Sequence, residues 1–194
     1  MKNIAQNVWS PYVFDRVKNM IMGGDTPWYL CITDYYSETP DPHSHKYQHI
    51  AYHKDVQQSQ LGPELLVACG DAISRSGQNI DEILRIRCSV TGITQNNWVA
   101  DPHVDTNREH MTALFYINDS DGDTIVYNEQ YRPLQGLDQT EWFEQKIGTP
   151  TVDYTVTPKA NQMCWFNGLT YHSSNSPTTV AQRYIINVNY TVHS

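Results

Sequence analysis

From residue 83 to the C-terminus the chain is a run of short apolar or alternating stretches cut by Gly, Pro, Asn and Asp. Residues 83–91, 99–105, 111–117, 124–127, 151–157, 162–166 and 183–192 each read as a strand, and 118–123 as a turn. No stretch of helical period alternates with them. Such a series predicts an antiparallel sandwich or small barrel, because parallel strands need crossover helices that this half of the chain lacks.

Before residue 80 the pattern is different. Ser10-Pro11 forms a good N-cap and first-turn pair, Val13, Phe14, Val17, Met20 and Ile21 follow at helical spacing, and Gly23-Gly24 ends the run. A second helix is expected over 63–73, with Leu65, Leu66, Cys69 and Ile73 as its apolar face. Residues 28–34 read as a strand, whereas 37–58 are polar, contain prolines and have no clear period. The 194 residues suit one domain, with 1–80 as a helical support region and 81–194 as the β core. The fold class expected is mainly β with flanking helices. Residues 128–150 interrupt the β series with a short helix, N-capped by Asp138 and with Glu141 placed for a capping box. Excursions of this length often serve as lids or binding loops.

A net charge of −8 and a pI near 5.3 speak against a nucleic-acid binder that relies on neutralising phosphates, and no Lys/Arg cluster occurs in the sequence. Cys31, Cys69, Cys88 and Cys164 never approach Cys-x-x-Cys spacing, so a zinc knuckle or redox pair is not expected, and the thiols fit a reducing compartment. No apolar stretch is long enough for a signal peptide or membrane span. The chain reads as soluble, intracellular and cytoplasmic, with no membrane partner.

Chemistry enters with His103-x-Asp105 and a later His172. Two imidazoles and one carboxylate form the facial ligand set that holds non-haem Fe(II) and leaves coordination positions open. The bare His-x-Asp is common in a chain with eight histidines, so its setting matters. In a strand, i and i+2 share a side, which would turn His103 and Asp105 inward with Val104 packed behind. Alternation in the last strand places Arg183, Ile185, Asn187 and Asn189 on one face. An inward Arg keeps its charge and needs an anion, which a dicarboxylate would supply, as would a protein carboxylate.

The half of the chain from 83 to 192 resembles the Fe(II)/2-oxoglutarate-dependent dioxygenases, in particular their prolyl-hydroxylase-like branch. The order His-x-Asp, His, Arg is matched by His103, Asp105, His172 and Arg183. RYIINVNY resembles the strand carrying the co-substrate Arg, TALFYIND the strand whose Tyr assists it, and VTPKANQMCWFNGLTYHSSNSP the approach to the distal ligand. GDTIVYNE departs from the pattern, keeping only Gly122 of the usual glycine pair. The resemblance implies a double-stranded β-helix core, jelly-roll and cupin-like. It implies Fe(II) held by His103, Asp105 and His172 as the catalytic centre. It also implies 2-oxoglutarate bound through Arg183 and Tyr116, with O₂ as co-reactant and ascorbate as a candidate accessory reductant. A hydroxylase of a prolyl, peptidyl or small-molecule C–H bond is the implied activity. Asp105 favours hydroxylation over halogenation, since related enzymes lacking that carboxylate can bind halide in its place. Asn187, Trp165 and Trp98 are candidates for the pocket wall.

Other signals compete. His45, His49 and His53 follow i, i+4 spacing and, with His43, suggest a second metal cluster, yet no acidic or Cys partner has a suitable offset, and a solvated face or loop is the expectation. Asp119, Asp121 and Asp123 suggest a calcium loop, but Thr124 and Gln130 occupy the places that need Gly and Glu, so a hairpin turn at Asp121-Gly122 is expected instead. Two other readings remain: a cupin-like metalloenzyme that does not use 2-oxoglutarate, and a non-catalytic jelly-roll binding or structural module.

Overall fold

The computed structural model describes residues 2–31, 46–54, 59–94, 98–132 and 148–193. In chain order the elements are β1 (Asn3–Gln6), α1 (Pro11–Met22), β2 (Tyr29–Cys31), β3 (Lys46–His53), α2 (Gly62–Arg75), β4 (Ile80–Gly92), β5 (Met111–Tyr116), β6 (Thr124–Gln130), β7 (Val152–Val156), β8 (Gln162–Asn167), β9 (Thr170–Ser174) and β10 (Gln182–Val192). Every strand pairing is antiparallel. Seven strands form one sheet in the order β1-β8-β5-β10-β4-β3-β2, and three form another in the order β7-β6-β9. The result is a jelly roll with helices on one face, as the strand series predicts.

Strand alternation explains why the large sheet has two buried faces. Ile86, Cys88, Ala113, Phe115, Met163, Ile186, Val188 and Tyr190 point outward to a core shared with Val17 and Ile21 of α1 and Leu65, Cys69, Ala72 and Ile73 of α2. Trp9 leads the chain into α1 and stacks on Phe115 with ring centroids 4.8 Å apart. Asn161 fixes it there, accepting from Trp9 N at 3.0 Å and donating to Trp9 O at 2.9 Å. On the inner face, Leu114, Tyr116, Cys164, Phe166 and Ile185 meet Val126, Tyr154 and Val156 of the small sheet. Both helices start and end within two residues of expectation, and the Ser10 side chain accepts from Val13 N as its N-cap role requires.

Several expectations change. Residues 99–105 do not form a strand; Pro102 has no N–H to give a ladder, and only isolated bridges at Val99–Asn175 and His103–His172 remain. Asp121-Gly122 is not a hairpin turn, because β5 and β6 lie in different sheets and the segment carries the chain between them. β9 was not foreseen as a strand. The first 80 residues contribute β1, β2 and β3 to the large sheet in addition to the two helices. The short helix expected at Asp138 to Glu141 lies outside the described residues, as do His43 and His45. His49 and His53 sit on β3 rather than on a helix face or in a loop. His49 is buried, with Nδ1 at 3.0 Å from Pro27 O and Nε2 at 2.9 Å from Ser59 Oγ, which makes it a structural histidine.

Candidate metal centre

His103 and His172 are brought side by side by their own backbones. Each N–H donates to the other's carbonyl at 2.9 Å, a single antiparallel bridge between the 98–105 segment and β9. Their rings lie 4.7 Å apart between centroids. Val104 and Tyr171, next to them in sequence, turn the opposite way into a cluster with Tyr127, Tyr131 and Leu169 behind the small sheet. Asp105 completes the group. One ligand atom from each of His103, Asp105 and His172 lies within 4.8 Å of the others, and all three residues are buried.

The protonation states suit a cation. His103 Nδ1 is 2.9 Å from Asp101 O, and His172 Nδ1 is 3.1 Å from Thr170 O. A carbonyl can only accept, so both Nδ1 atoms carry the proton and both Nε2 atoms keep a lone pair. Burial, reinforced by His172, pushes the His103 imidazole down to about 3, and burial lowers His172 as well. Both rings are therefore neutral at neutral pH. Asp105 is the reverse case. Burial opposes its charge, but the Arg87 and Arg85 guanidiniums beside it hold its carboxyl well below the usual range. Arg87 and Arg85 reach Oδ1 at 3.1 and 3.2 Å. Asn187 and Asn189 donate to Oδ2 at 2.9 and 3.0 Å, and Thr112 at 3.4 Å. Two neutral imidazoles and one ionised carboxylate, buried and convergent, are a donor set that fits a divalent transition metal.

Further along the inner face of β10 lies Arg183, 3% exposed. Its Nη2 donates to Thr124 Oγ1 at 2.7 Å, and its guanidinium lies over the Tyr116 ring at 5.7 Å. Thr124 also accepts from the Tyr116 hydroxyl at 2.8 Å, so one hydroxyl holds both residues in place. Tyr116 additionally contacts Cys164 Sγ at 3.2 Å, and burial raises its phenol well above the ordinary range. No ion pair joins Arg183 to a carboxylate among the described residues, and its Nε is buried without a partner. Gly122 lets the crossover pass close by: a Cβ there would come within 3.0 Å of Arg183 Cδ and 2.8 Å of Asn175 O. Asp121, beside it, accepts from Thr178 N at 3.0 Å, Thr179 N at 2.9 Å and the Thr178 hydroxyl, tying down the loop that enters β10. The acidic turn therefore braces the loop that leads to Arg183.

Solved structures with this architecture are numerous. A 2OG-Fe(II) oxygenase family oxidoreductase from Burkholderia pseudomallei aligns over 98% of this chain and 84% of its own, with 12% identity and a TM-score of 0.64. A Trichoplax adhaerens prolyl hydroxylase, solved with a hypoxia inducible factor oxygen degradation domain peptide, aligns over 98% and 83%, with 12% identity and a TM-score of 0.61. The epimerase SnoN of nogalamycin biosynthesis, solved with Fe3+, alpha ketoglutarate and nogalamycin RO, aligns over 97% and 78%, with 10% identity and a TM-score of 0.61. The fold is that of the 2-oxoglutarate/Fe(II) oxygenases. No family model matches the sequence, and no curated protein matches it either. Identities this low carry the architecture; the site has to be judged on its own residues.

Within this oxygenase fold the pocket candidates separate. Asn187 is at the site, with Nδ2 on Asp105 and Oδ1 buried without a partner. Trp165 is not: alternation along β8 sends Cys164 and Phe166 inward and Trp165 outward against the core under the helices. Trp98 lies half-buried at the start of the segment leading to His103, its carbonyl accepting from Ser176 N at 2.8 Å. Sequence reasoning missed Arg85, Arg87, Thr112, Thr124 and Asn189 as partners of the named residues. A signal for the arginines was present. Arg85, Arg87, Ser89 and Thr91 alternate with Ile86, Cys88 and Val90, the same polar-inward pattern that singled out Arg183.

Proposed function

We propose that this protein is an Fe(II)- and 2-oxoglutarate-dependent oxygenase that hydroxylates a prolyl, peptidyl or small-molecule C–H bond, with succinate and CO₂ as co-products. The supporting observation is the arrangement of one buried interior. Three metal-type donors converge on it, and on the same β10 face lies a guanidinium that no carboxylate among the described residues pairs with. An anion-seeking charge beside a facial triad suits a co-substrate that chelates metal at one end and carries a carboxylate at the other.

His103 Nε2, His172 Nε2 and an Asp105 oxygen would hold the iron. When bound, Fe(II) with 2-oxoglutarate supplies O₂ activation, coupling oxidative decarboxylation of the co-substrate to oxidation of a substrate C–H bond. The carbonyls of Asp101 and Thr170 orient the imidazoles, and the donors around Asp105 keep it ionised. Arg183 receives the far carboxylate through charge-assisted hydrogen bonds, with Tyr116 and Thr124 fixing its direction. Phe166, edge-on to His172 at 5.0 Å, and Ile185 supply apolar wall that keeps water from the reacting centre.

The test is anaerobic titration of the Fe(II)-loaded protein with 2-oxoglutarate, followed by the weak visible charge-transfer band, together with succinate formation in air. A band that saturates and succinate that tracks O₂ uptake are expected. Iron binding without any response to 2-oxoglutarate would falsify the assignment and favour a cupin-like enzyme of another kind.

A further inference from the structure

Asp105 enters the metal centre with its acceptor positions already filled. A carboxylate has about four lone-pair directions, roughly two on each oxygen. On Oδ1 they meet guanidiniums, Arg85 Nη2 at 3.2 Å and Arg87 Nη2 at 3.1 Å. On Oδ2 they meet amides, Asn187 Nδ2 at 2.9 Å and Asn189 Nδ2 at 3.0 Å, with the Thr112 hydroxyl more distant at 3.4 Å. A cation held by the triad has to take one of these oxygens. Oδ1 faces two positive charges, whereas Oδ2 is the oxygen next to His172, whose Nε2 is 3.6 Å away. The cation's oxygen is therefore Oδ2, and one of the two amides has to give way.

The two asparagines differ in what holds them. Asn189 is fixed at both ends of its amide: Nδ2 also donates to Thr112 Oγ1 at 3.1 Å, and Oδ1 accepts from Arg85 Nε at 3.0 Å. Asn187 is tethered at one end. An ionised carboxylate can only accept, so the amide nitrogen is the atom that faces Asp105. Oδ1 is left on the other side, without a hydrogen-bond partner, in a residue 2% exposed. A buried acceptor with no donor is unfavourable, and native structures carry few of them. Asn187 is thus the amide with less to lose on leaving Asp105.

We infer that Asn187 holds the place of the divalent cation in the metal-free protein: its Nδ2 caps the Oδ2 lone pair that the cation takes, and loading the site turns it away. The inference rests on the metal half of the reading above and does not need 2-oxoglutarate. Asn187 is a positioning residue. It keeps Asp105 oriented and satisfied while the centre is empty, and lowers metal affinity by doing so. Once released, the amide offers a donor as well as an acceptor to a polar group at the cation's open positions.

Two measurements test this, with Mn(II) and Zn(II) alone as probes. Asn187→Leu removes the competing donor and the unpartnered oxygen at similar volume. Mn(II), followed by loss of its free-ion electron paramagnetic resonance signal, should bind this variant about tenfold more tightly than wild type, the strength of one hydrogen bond to a charged group. A residue that only shaped the site would weaken Mn(II) when removed, as Asn189→Leu should. In wild type, the Asn187 side-chain amide is followed by nitrogen-15 NMR during titration with diamagnetic Zn(II). The low-field proton of a carboxylate-bound amide should move upfield at saturation, while that of Asn189 is retained. The inference is overturned if Asn187→Leu binds Mn(II) no more tightly than wild type, or if the Asn187 low-field proton survives saturation with Zn(II). The NMR measurement uses the unaltered protein and decides the matter should the variant fail to fold. Failure of wild type to bind either ion removes the metal centre and this inference together. A protein that binds both ions yet ignores 2-oxoglutarate overturns only the oxygenase reading.

Discussion

Replacing Arg183 by Met should have opposite consequences for binding and for folding. The residue is 3% exposed, its guanidinium donates to Thr124 Oγ1, and among the described residues no carboxylate pairs with it and its Nε has no partner. In the protein without ligands it is therefore a buried charge with weak compensation, which burial disfavours. Met fills similar volume, and Thr124 still accepts from Tyr116 at 2.8 Å, so no acceptor is orphaned. Urea unfolding of the metal-free variant should give a stability within about 1 kcal/mol of wild type, or higher. Binding should move the other way. Hydrogen bonds to a charged group contribute about 1.5–3 kcal/mol, so the 2-oxoglutarate Kd should rise by roughly 10- to 150-fold. Iron affinity, set at the far end of the pocket, should change little. A 2-oxoglutarate Kd within twofold of wild type would refute the role given to Arg183. A loss of about 3 kcal/mol or more in the metal-free protein would instead mark the residue as structural.

Four further outcomes follow from the same geometry. His172→Ala removes one of three ligands and should abolish the 2-oxoglutarate-dependent visible band while circular dichroism of the fold is retained. Gly122→Ala places a methyl group 3.0 Å from Arg183 Cδ and 2.8 Å from Asn175 O, so it should raise the 2-oxoglutarate Kd several-fold without touching the metal ligands, as the same titration will show. Leu65→Ala, at a fully buried position under the large sheet, should cost about 2–5 kcal/mol in urea unfolding and leave 2-oxoglutarate affinity unchanged in the folded fraction. The metal-free protein should lose stability as pH falls. His103 has its folded value lowered to about 3 against about 6.5 unfolded, so below 6.5 the unfolded state binds the extra proton. Each pH unit between about 6 and 3 should then remove roughly 1.4 kcal/mol from this residue alone, with His172 and Asp105 acting in the same direction. A flat unfolding midpoint over that range would show that the rings are not held neutral.

The helices and most of the strands were legible because each rests on a local period. His103, Asp105 and His172, by contrast, stood out only through their order in the chain, since 99–105 is not a strand and β9 has no alternation. Ser10 and Pro11 mark the start of α1, and alternation in RYIINVNY fixes which side of β10 faces in. What escaped depends on pairing. β9 is only five residues long and, being Thr170–Ser174, has no apolar alternation to reveal it; its strand character comes from β6 beside it. β3 lies in a polar stretch where His49 reads as solvated, yet a carbonyl from Pro27 and a hydroxyl from Ser59 satisfy it in the core. The turn at Asp121-Gly122 has hairpin residues, but the flanking strands bond to different neighbours, and no local rule reports that.

The surroundings of Asp105 show why a census of charge along a sequence underestimates an interior. Arg85 and Arg87 are too few to register as a cluster, and the net charge of −8 argues against any strongly positive site. Strand geometry reverses the conclusion, because i and i+2 share a face and adjacent strands lie within 5 Å or so of each other. Arg85 and Arg87 on β4 thus meet one fully buried carboxylate, Asp105. There each charge is screened far less than the acidic surface outside. The outer surface governs encounter and solubility, whereas the field at His103, Asp105 and His172 is set by a few inward side chains of the opposite sign. An anion drawn to this protein would therefore be repelled at long range and held only once inside. Its on-rate should rise with added salt even as its affinity falls, a pair of opposed trends that stopped-flow binding of 2-oxoglutarate to the Fe(II)-loaded protein can read directly. Parallel trends would place the binding charges on the surface instead.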